Sequence, residues 1–236
     1  MYIFLLFNCH WIQLPRERGK NIILFYNIFA LMVKGCLFCG CWLWSWDLYC
    51  KNCQIKIIGP STFYINDLKV FGAAVYNNTT CKPILKLKYN NNPFIGKPMA
   101  QFIHNQLNLL GFVWDFDFLV VIPITWTKNI TRGYNQSQII GQQLSKITGI
   151  PLGDFLKKTD YSSQINKNYQ ERIEGPALQL KTPIVNKKLL IIDDVVTTGS
   201  TLWAAYNVLD PEKNKIQGLV FNFNQKFISK LDIYNP

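Results

Sequence analysis

Apolar residues along this chain fall into short unbroken runs rather than long amphipathic stretches. The clearest run is 189–192, Leu-Leu-Ile-Ile, introduced by Lys187 and Lys188 and ended by the adjacent carboxylates Asp193 and Asp194. A short apolar run bounded by charge and turn residues reads as a strand buried on both faces of a parallel sheet. Residues 118–122, ended by Pro123, form a second such run, and 216–223 read as a further strand. Residues 70–76 and 83–89 read as short strands joined by a turn at Asn77-Asn78-Thr79-Thr80. Helical spacing is expected over 98–110, from Gln136 through Ile147, and after Thr201, where Leu202, Trp203, Ala204, Ala205 and Leu209 recur. Strands alternating with helices predict an α/β domain built on a parallel sheet. Ligands bind such sheets at the carboxyl ends of the strands, here 118–122 and 189–193.

The first 35 residues fit less well. Residues 1–7 and 22–33 are apolar on either side of a polar stretch at 16–20. Neither run reaches the roughly 18 to 20 residues a bilayer-crossing helix needs. A secretory signal would place positive charge before the apolar run and a small-residue cleavage site after it, and neither is clear. Residues 21–33 read as a short amphipathic helix packed on the body, and 1–20 as a start-site artefact or a disordered extension. The expectation is a cytoplasmic chain with no direct membrane contact.

Cys36-Leu-Phe-Cys39 and Cys50-Lys-Asn-Cys53 follow, with ten residues between the pairs. Two Cys-x-x-Cys pairs this close can present four thiolates to one tetrahedral ion, as structural zinc requires. Two disulfides, or free core cysteines, are the alternatives, and a reducing compartment disfavours the first. Trp42, Trp44, Trp46 and Tyr49 would cover the metal and dock the knuckle, and Cys41 is a substitute ligand. Cys9 and Cys81 read as free thiols. The expected organisation is an extension over 1–35, a zinc knuckle over 36–58 and one larger domain over 59–236.

After Asp193-Asp194-Val-Val comes Thr197-Thr198-Gly199-Ser200-Thr201 and then a helix. A helix start offers N–H groups without intrahelical partners and the positive end of the dipole. A small hydroxyl-and-glycine loop lets a phosphate approach that backbone. The carboxylates would repel phosphate, but they suit ribose hydroxyls or a hydrated divalent cation about one sugar away. Together the stretch asks for a sugar phosphate. The plainer alternative is a strand end followed by an ordinary Ser/Thr cap.

Composition changes this picture modestly. The 236 residues are 49% hydrophobic and 14% aromatic, which excludes a disordered chain. The formal charge of +11 suits polyanions such as nucleic acid or a pyrophosphate, and equally a lysine-favouring genome or simple solubility. Lys82, Lys86, Lys88 and Lys97 gather in one segment that reads as a solvated face. His10 and His104 are isolated and read as structural.

The stretch 193–201 resembles the phosphoribosyl-pyrophosphate (PRPP) signature of type I phosphoribosyltransferases. That resemblance implies that Asp193 and Asp194 hold the ribose hydroxyls and that Thr197, Thr198, Gly199, Ser200 and Thr201 hold the 5′-phosphate. With the cysteine pairs, Arg132-Gly-Tyr-Asn-Gln136, and Gln164 with Arg172, the chain more specifically resembles the ComF family over about residues 36–224. These are competence-associated proteins with a zinc knuckle ahead of a phosphoribosyltransferase-like domain. The resemblance implies a type I phosphoribosyltransferase-like parallel sheet flanked by helices, preceded by a small four-cysteine knuckle with structural Zn2+. It also implies PRPP bound with Mg2+, and a role in bringing transforming DNA into the cytoplasm. Residues 124–131 stand where those enzymes carry a pyrophosphate-binding loop, with Arg132 as its contact. Residues 154–183 stand where they carry a mobile loop, with Arg172 catalytic beside the acids. The family has Arg where Lys157 or Lys158 stands, and Asn where Gly175 stands. Pentosyl transfer is one expectation. A single-stranded DNA-binding transformation factor with a vestigial or regulatory PRPP site is another, with Tyr89 near Lys86 and Lys88 read as core or as a base-stacking surface. A nucleotide-salvage transferase is the third.

Overall fold

The computed structural model describes residues 3–7, 10–14, 34–43, 47–89, 92–124, 134–158 and 178–225, the first two segments by backbone alone. β1 (Ile3–Phe7) and β2 (His10–Leu14) pair as an antiparallel hairpin. β3 (Lys34–Gly35) and β4 (Trp42–Leu43) pair within the cysteine-bearing segment, which ends in the short α1 (Lys51–Gln54).

The main sheet uses β5 (Ser61–Ile65), β6 (Leu68–Val75), β7 (Phe118–Val121), β8 (Leu152–Gly153), β11 (Lys188–Val196) and β12 (Lys215–Phe223). Its order is β5-β6-β12-β11-β7-β8, parallel at every pairing except the β5–β6 hairpin at one edge. The aliphatic run predicted as a doubly covered strand is central β11, where Leu189, Leu190, Ile191 and Ile192 are all 0% exposed. An unbroken apolar run is what a strand with helices on both faces needs, because neither side-chain row meets water.

One face carries α2 (Lys82–Tyr89), α3 (Gly96–Leu109) and α4 (Gln136–Thr148). α3 buries Met99, Ala100, Phe102, Ile103 and Leu107, the spacing of a single helical stripe. The other face carries α5 (Ser200–Val208), with Leu202 and Ala205 turned inward. A small antiparallel pair, β9 (Leu156–Lys158) with β10 (Leu178–Leu180), adds Leu156 and Leu178 to that second core. This is the α/β architecture expected from the sequence, a largely parallel sheet flanked by helices with a four-cysteine segment in front. Among the described residues no helix is long and apolar enough to cross a membrane.

Residues 83–89 are not a strand. They lie in α2, with Pro83 in its first turn, where a missing N–H costs nothing. The alternation of leucine and lysine at 85–88 imitates a period of two, but Ile84 and Leu87 are the buried pair, three apart. A side-chain lock precedes the helix: Asn77 Oδ1 accepts from the Thr79 and Thr80 N–H groups, and Thr80 Oγ1 donates to the Val75 carbonyl at 2.6 Å. The strand thus ends in a turn that launches α2 directly from β6.

The knuckle packs on the same face. Phe38, fully buried, meets Phe102 of α3 edge-on at 5.3 Å between ring centroids, and Tyr49 meets Phe102 at 5.9 Å. Docking therefore runs through Phe38 and Tyr49. Trp42, expected to cover the metal, is 66% exposed, and Trp44 and Trp46 lie outside the described residues. So do the predicted helix at 21–33, Cys9, Gln164 and Gly175.

Candidate functional site

β11 continues to Val196, past Ile192, the last residue of its aliphatic run, so Asp193 and Asp194 sit inside the strand rather than after it. The two ladders explain the acids' setting. Pairing with β7 stops at Ile192↔Val121, whereas pairing with β12 includes Asp193↔Val220 and reaches Val196↔Phe223. The acids therefore lie just beyond the end of β7, at the carboxyl edge of the sheet where one neighbour has already left.

The segment that follows β7 supplies their partners. Asn135 caps α4 by accepting from the Ser137 N–H at 3.1 Å, and its Nδ2 donates to the Ile122 carbonyl at 2.9 Å. A cap of this kind contributes about 1 kcal/mol. It also aims the first turn of α4 at β11, so that Ser137 Oγ donates to Asp193 Oδ1 at 3.0 Å. The Asp194 N–H donates to the same oxygen at 2.8 Å. Asp194 turns instead to α2, where Lys88 Nζ lies 2.5 Å from its Oδ2. Tyr134 joins the two helices, its hydroxyl donating to the Leu87 carbonyl at 2.6 Å. Lys88, which the sequence places on a solvated face, is only 23% exposed in its side chain. No sequence signal distinguishes it from Lys82, Lys86 or Lys97, and a strand reading of 83–89 hides its direction.

Burial, and then the neighbouring Asp194 charge, push the Asp193 carboxyl up to about 7, against the opposing pull of the Asp194 N–H, the Ser137 hydroxyl and Lys88. A carboxyl with that setting holds its proton more readily than a free aspartate, and a second cation would release it.

The loop at 197–199 leads into α5. Gly199 adopts φ +75°, and a Cβ there would lie 2.8 Å from Ile65 Cδ1. Both the left-handed backbone and the contact demand glycine. Thr197, Thr198 and Ser200 are exposed and Thr201 is half-buried; Thr198 Oγ1 and Ser200 Oγ lie 3.0 Å apart. Among the described residues no side chain caps α5, which leaves its first N–H groups facing the loop at 197–199. The fold thus brings Asp193, Asp194 and residues 197–201 together on one strand-turn-helix unit. Arg132 and Arg172 lie outside the described residues, as do most of 124–131 and the centre of 154–183. Lys157 falls on β9, paired with Gln179.

The second cluster is the knuckle. The sulfurs of Cys36, Cys39, Cys50 and Cys53 all lie within 4.8 Å of one another, with Cys39 and Cys50 3.7 Å apart. Tetrahedral zinc with bonds of about 2.3 Å spaces its sulfurs by about 3.8 Å, so this donor set fits such an ion. Burial would raise the Cys36 thiol, but the backbone N–H groups of Cys39, Cys50 and Phe38 bring it down to about 6. Cys41 is exposed, outside the four, and hydrogen bonding to Cys39 pushes it up to about 12. His104 stacks on Trp114 at 5.4 Å, a structural role. Tyr89 is 70% exposed and is not part of the core.

No family model matches the chain. Competence protein ComFC of Streptococcus pneumoniae is 29% identical over 155 residues, 65% of this chain and 64% of the relative. Competence protein F of Haemophilus influenzae is 26% identical over 191 residues, 71% of this chain and 74% of the relative. DNA utilization protein YhgH of Escherichia coli is 29% identical over 90 residues, 36% and 40% of the two chains. Among solved structures, adenine phosphoribosyltransferase from Leishmania tarentolae overlaps 73% of this chain and 98% of its own at TM-score 0.40 and 10% identity. A purine phosphoribosyltransferase from Pyrococcus horikoshii overlaps 54% and 81% at TM-score 0.33 and 19% identity. The match to the streptococcal relative spans a little under two thirds of that protein's length. In sequence, the chain is similar to the competence proteins of the ComF family over 65–71% of its length.

Proposed function

We propose that this protein binds PRPP with Mg2+ at the carboxyl edge of β11, and that it serves DNA uptake in competence. Two of its relatives are named competence proteins and a third a DNA utilization protein. The observation that carries the reading is the strand-turn-helix unit: two acids near the strand end, a left-handed Gly199, and a helix start without a side-chain cap. The N–H groups and hydroxyls of 197–201 would cradle the 5′-phosphate. Asp193 and Asp194 would take the ribose hydroxyls. Mg2+ supplies charge neutralisation of a diphosphate leaving group, and the acids fit a hard cation that prefers oxygen donors. Such a transfer asks the protein for positioning and electrostatics more than covalent chemistry. Arg132 is the proposed diphosphate contact, Arg172 the proposed catalytic residue beside the acids, and Zn2+ the proposed knuckle ion. Calorimetric titration tests the site: PRPP binding should vanish in Asp193→Asn with Asp194→Asn, and affinity retained within about twofold would sink the assignment.

A second partner, single-stranded DNA, is favoured by one observation. Tyr89 and Phe94 are 70% and 88% exposed within the segment that carries Lys82, Lys86 and Lys97. Exposed aromatics among cations suit stacked bases along a phosphate backbone. The two readings are compatible.

A further inference from the structure

Lys88 is the last-turn lysine of α2 that reaches the acids. Three features hold it there. The helix C-terminus favours a cation through its carbonyl dipoles. Leu87, the residue before it, is 0% exposed and anchors the turn in the core. Tyr134 fixes the same turn by bonding the Leu87 carbonyl. The pair with Asp194 is also well enclosed, its side chains 23% and 12% exposed. By contrast, Lys181–Asp154, Lys188–Asp115 and Lys213–Asp210 each have one partner at 62% or more.

An ammonium hydrogen-bonded to Asp194 Oδ2 occupies the position a metal ion would take on that oxygen. A divalent cation there would face a like charge a few ångströms away in a partly dry setting, where repulsion is poorly screened. For the metal to enter, Lys88 must leave. A lysine can do so, because its charge rides on a flexible stem, but the ammonium then needs another acceptor. A phosphate oxygen provides one and a bare metal ion does not.

We propose that Lys88 is a resident counter-ion that keeps Asp193 and Asp194 closed to a bare divalent cation and yields only when the cation arrives with an anionic ligand. The inference rests on the reading that these acids receive a sugar phosphate and its cation. It makes Lys88 a positioning residue that sets the order of binding: cation and diphosphate enter together.

Mn2+ alone is the probe, titrated into zinc-loaded full-length protein by electron paramagnetic resonance. Lys88→Gln should bind Mn2+ at least about tenfold more tightly than the parent, and Lys88→Arg should stay within about twofold of it. Adding Asp194→Asn to Lys88→Gln should abolish the gain. Lys88→Met serves the same purpose if Lys88→Gln does not fold. An unchanged Mn2+ affinity in a folded charge-removing variant overturns the proposal, since a merely structural ion pair would change stability alone. A parallel PRPP titration separates the two readings. A Mn2+ gain in a protein that never binds PRPP leaves the counter-ion standing and removes the sugar-phosphate site. PRPP binding by the parent without any Mn2+ gain does the reverse.

Discussion

Asp193 is the residue with the most to reveal. Its carboxyl is pushed up to about 7 by burial and by Asp194, so the folded protein holds a proton there that the unfolded chain releases near pH 4. Between those values the folded state binds more protons than the unfolded one, and stability falls as pH rises. Asp193→Asn removes the titration while keeping the shape. The variant should therefore melt about 3 °C or more above the parent at pH 8, and by a clearly smaller margin at pH 5. A difference that is the same at both values would contradict a raised carboxyl. For single residues the sequence is informative about identity and silent about direction. The acids, the glycine and the hydroxyls can be read from their order along one strand-turn-helix unit, because their spacing is local. Lys88, Tyr134 and Ser137 cannot, because each meets the acids or their neighbours through tertiary packing: Ser137 and Asp193 are 56 positions apart.

Among the elements, the knuckle carries the clearest consequence. Its four sulfurs converge on one point while Phe38 and Tyr49 pack against Phe102. A bound ion would hold 36–53 in the shape that presents Phe38 to α3, so metal binding and docking share one free energy. Purified protein should carry about one zinc per chain, and removing it with a chelator should lower the melting temperature by about 5 °C or more. Less than about half an equivalent of zinc, together with an equally stable Cys53→Ser variant, would contradict a structural ion. The cysteine spacing makes this element legible. Its docking aromatics are not, because the exposure of Trp42 depends on which face meets α3. The strand expected at 83–89 fails for a similar reason: seven residues with alternating lysines satisfy a strand pattern, and only the core at Ile84 and Leu87 selects the helix.

For the molecule taken whole, the net charge of +11 meets two anionic partners in the proposed function. If single strands bind the lysine and aromatic segment, their affinity should fall with rising salt at a slope of about −0.7 per phosphate contacted. Tyr89→Ala with Phe94→Ala should weaken binding about tenfold or more, since each stacked base is worth about 1–3 kcal/mol. A flat salt response would remove nucleic acid as a partner. The order β5-β6-β12-β11-β7-β8 makes β11 central, with the acids and the start of α5 at its carboxyl end, where the alternation of apolar runs and helical spacings in the sequence predicts a ligand.

PRPP binding is the step on which the proposed function depends, and calorimetric titration of the zinc-loaded protein with PRPP, with and without Mg2+, measures it outright. The expected result is binding in the micromolar range that depends on Mg2+ and is lost when both acids are replaced by asparagine. A folded, zinc-loaded protein that binds no PRPP under either condition would contradict a working sugar-phosphate site.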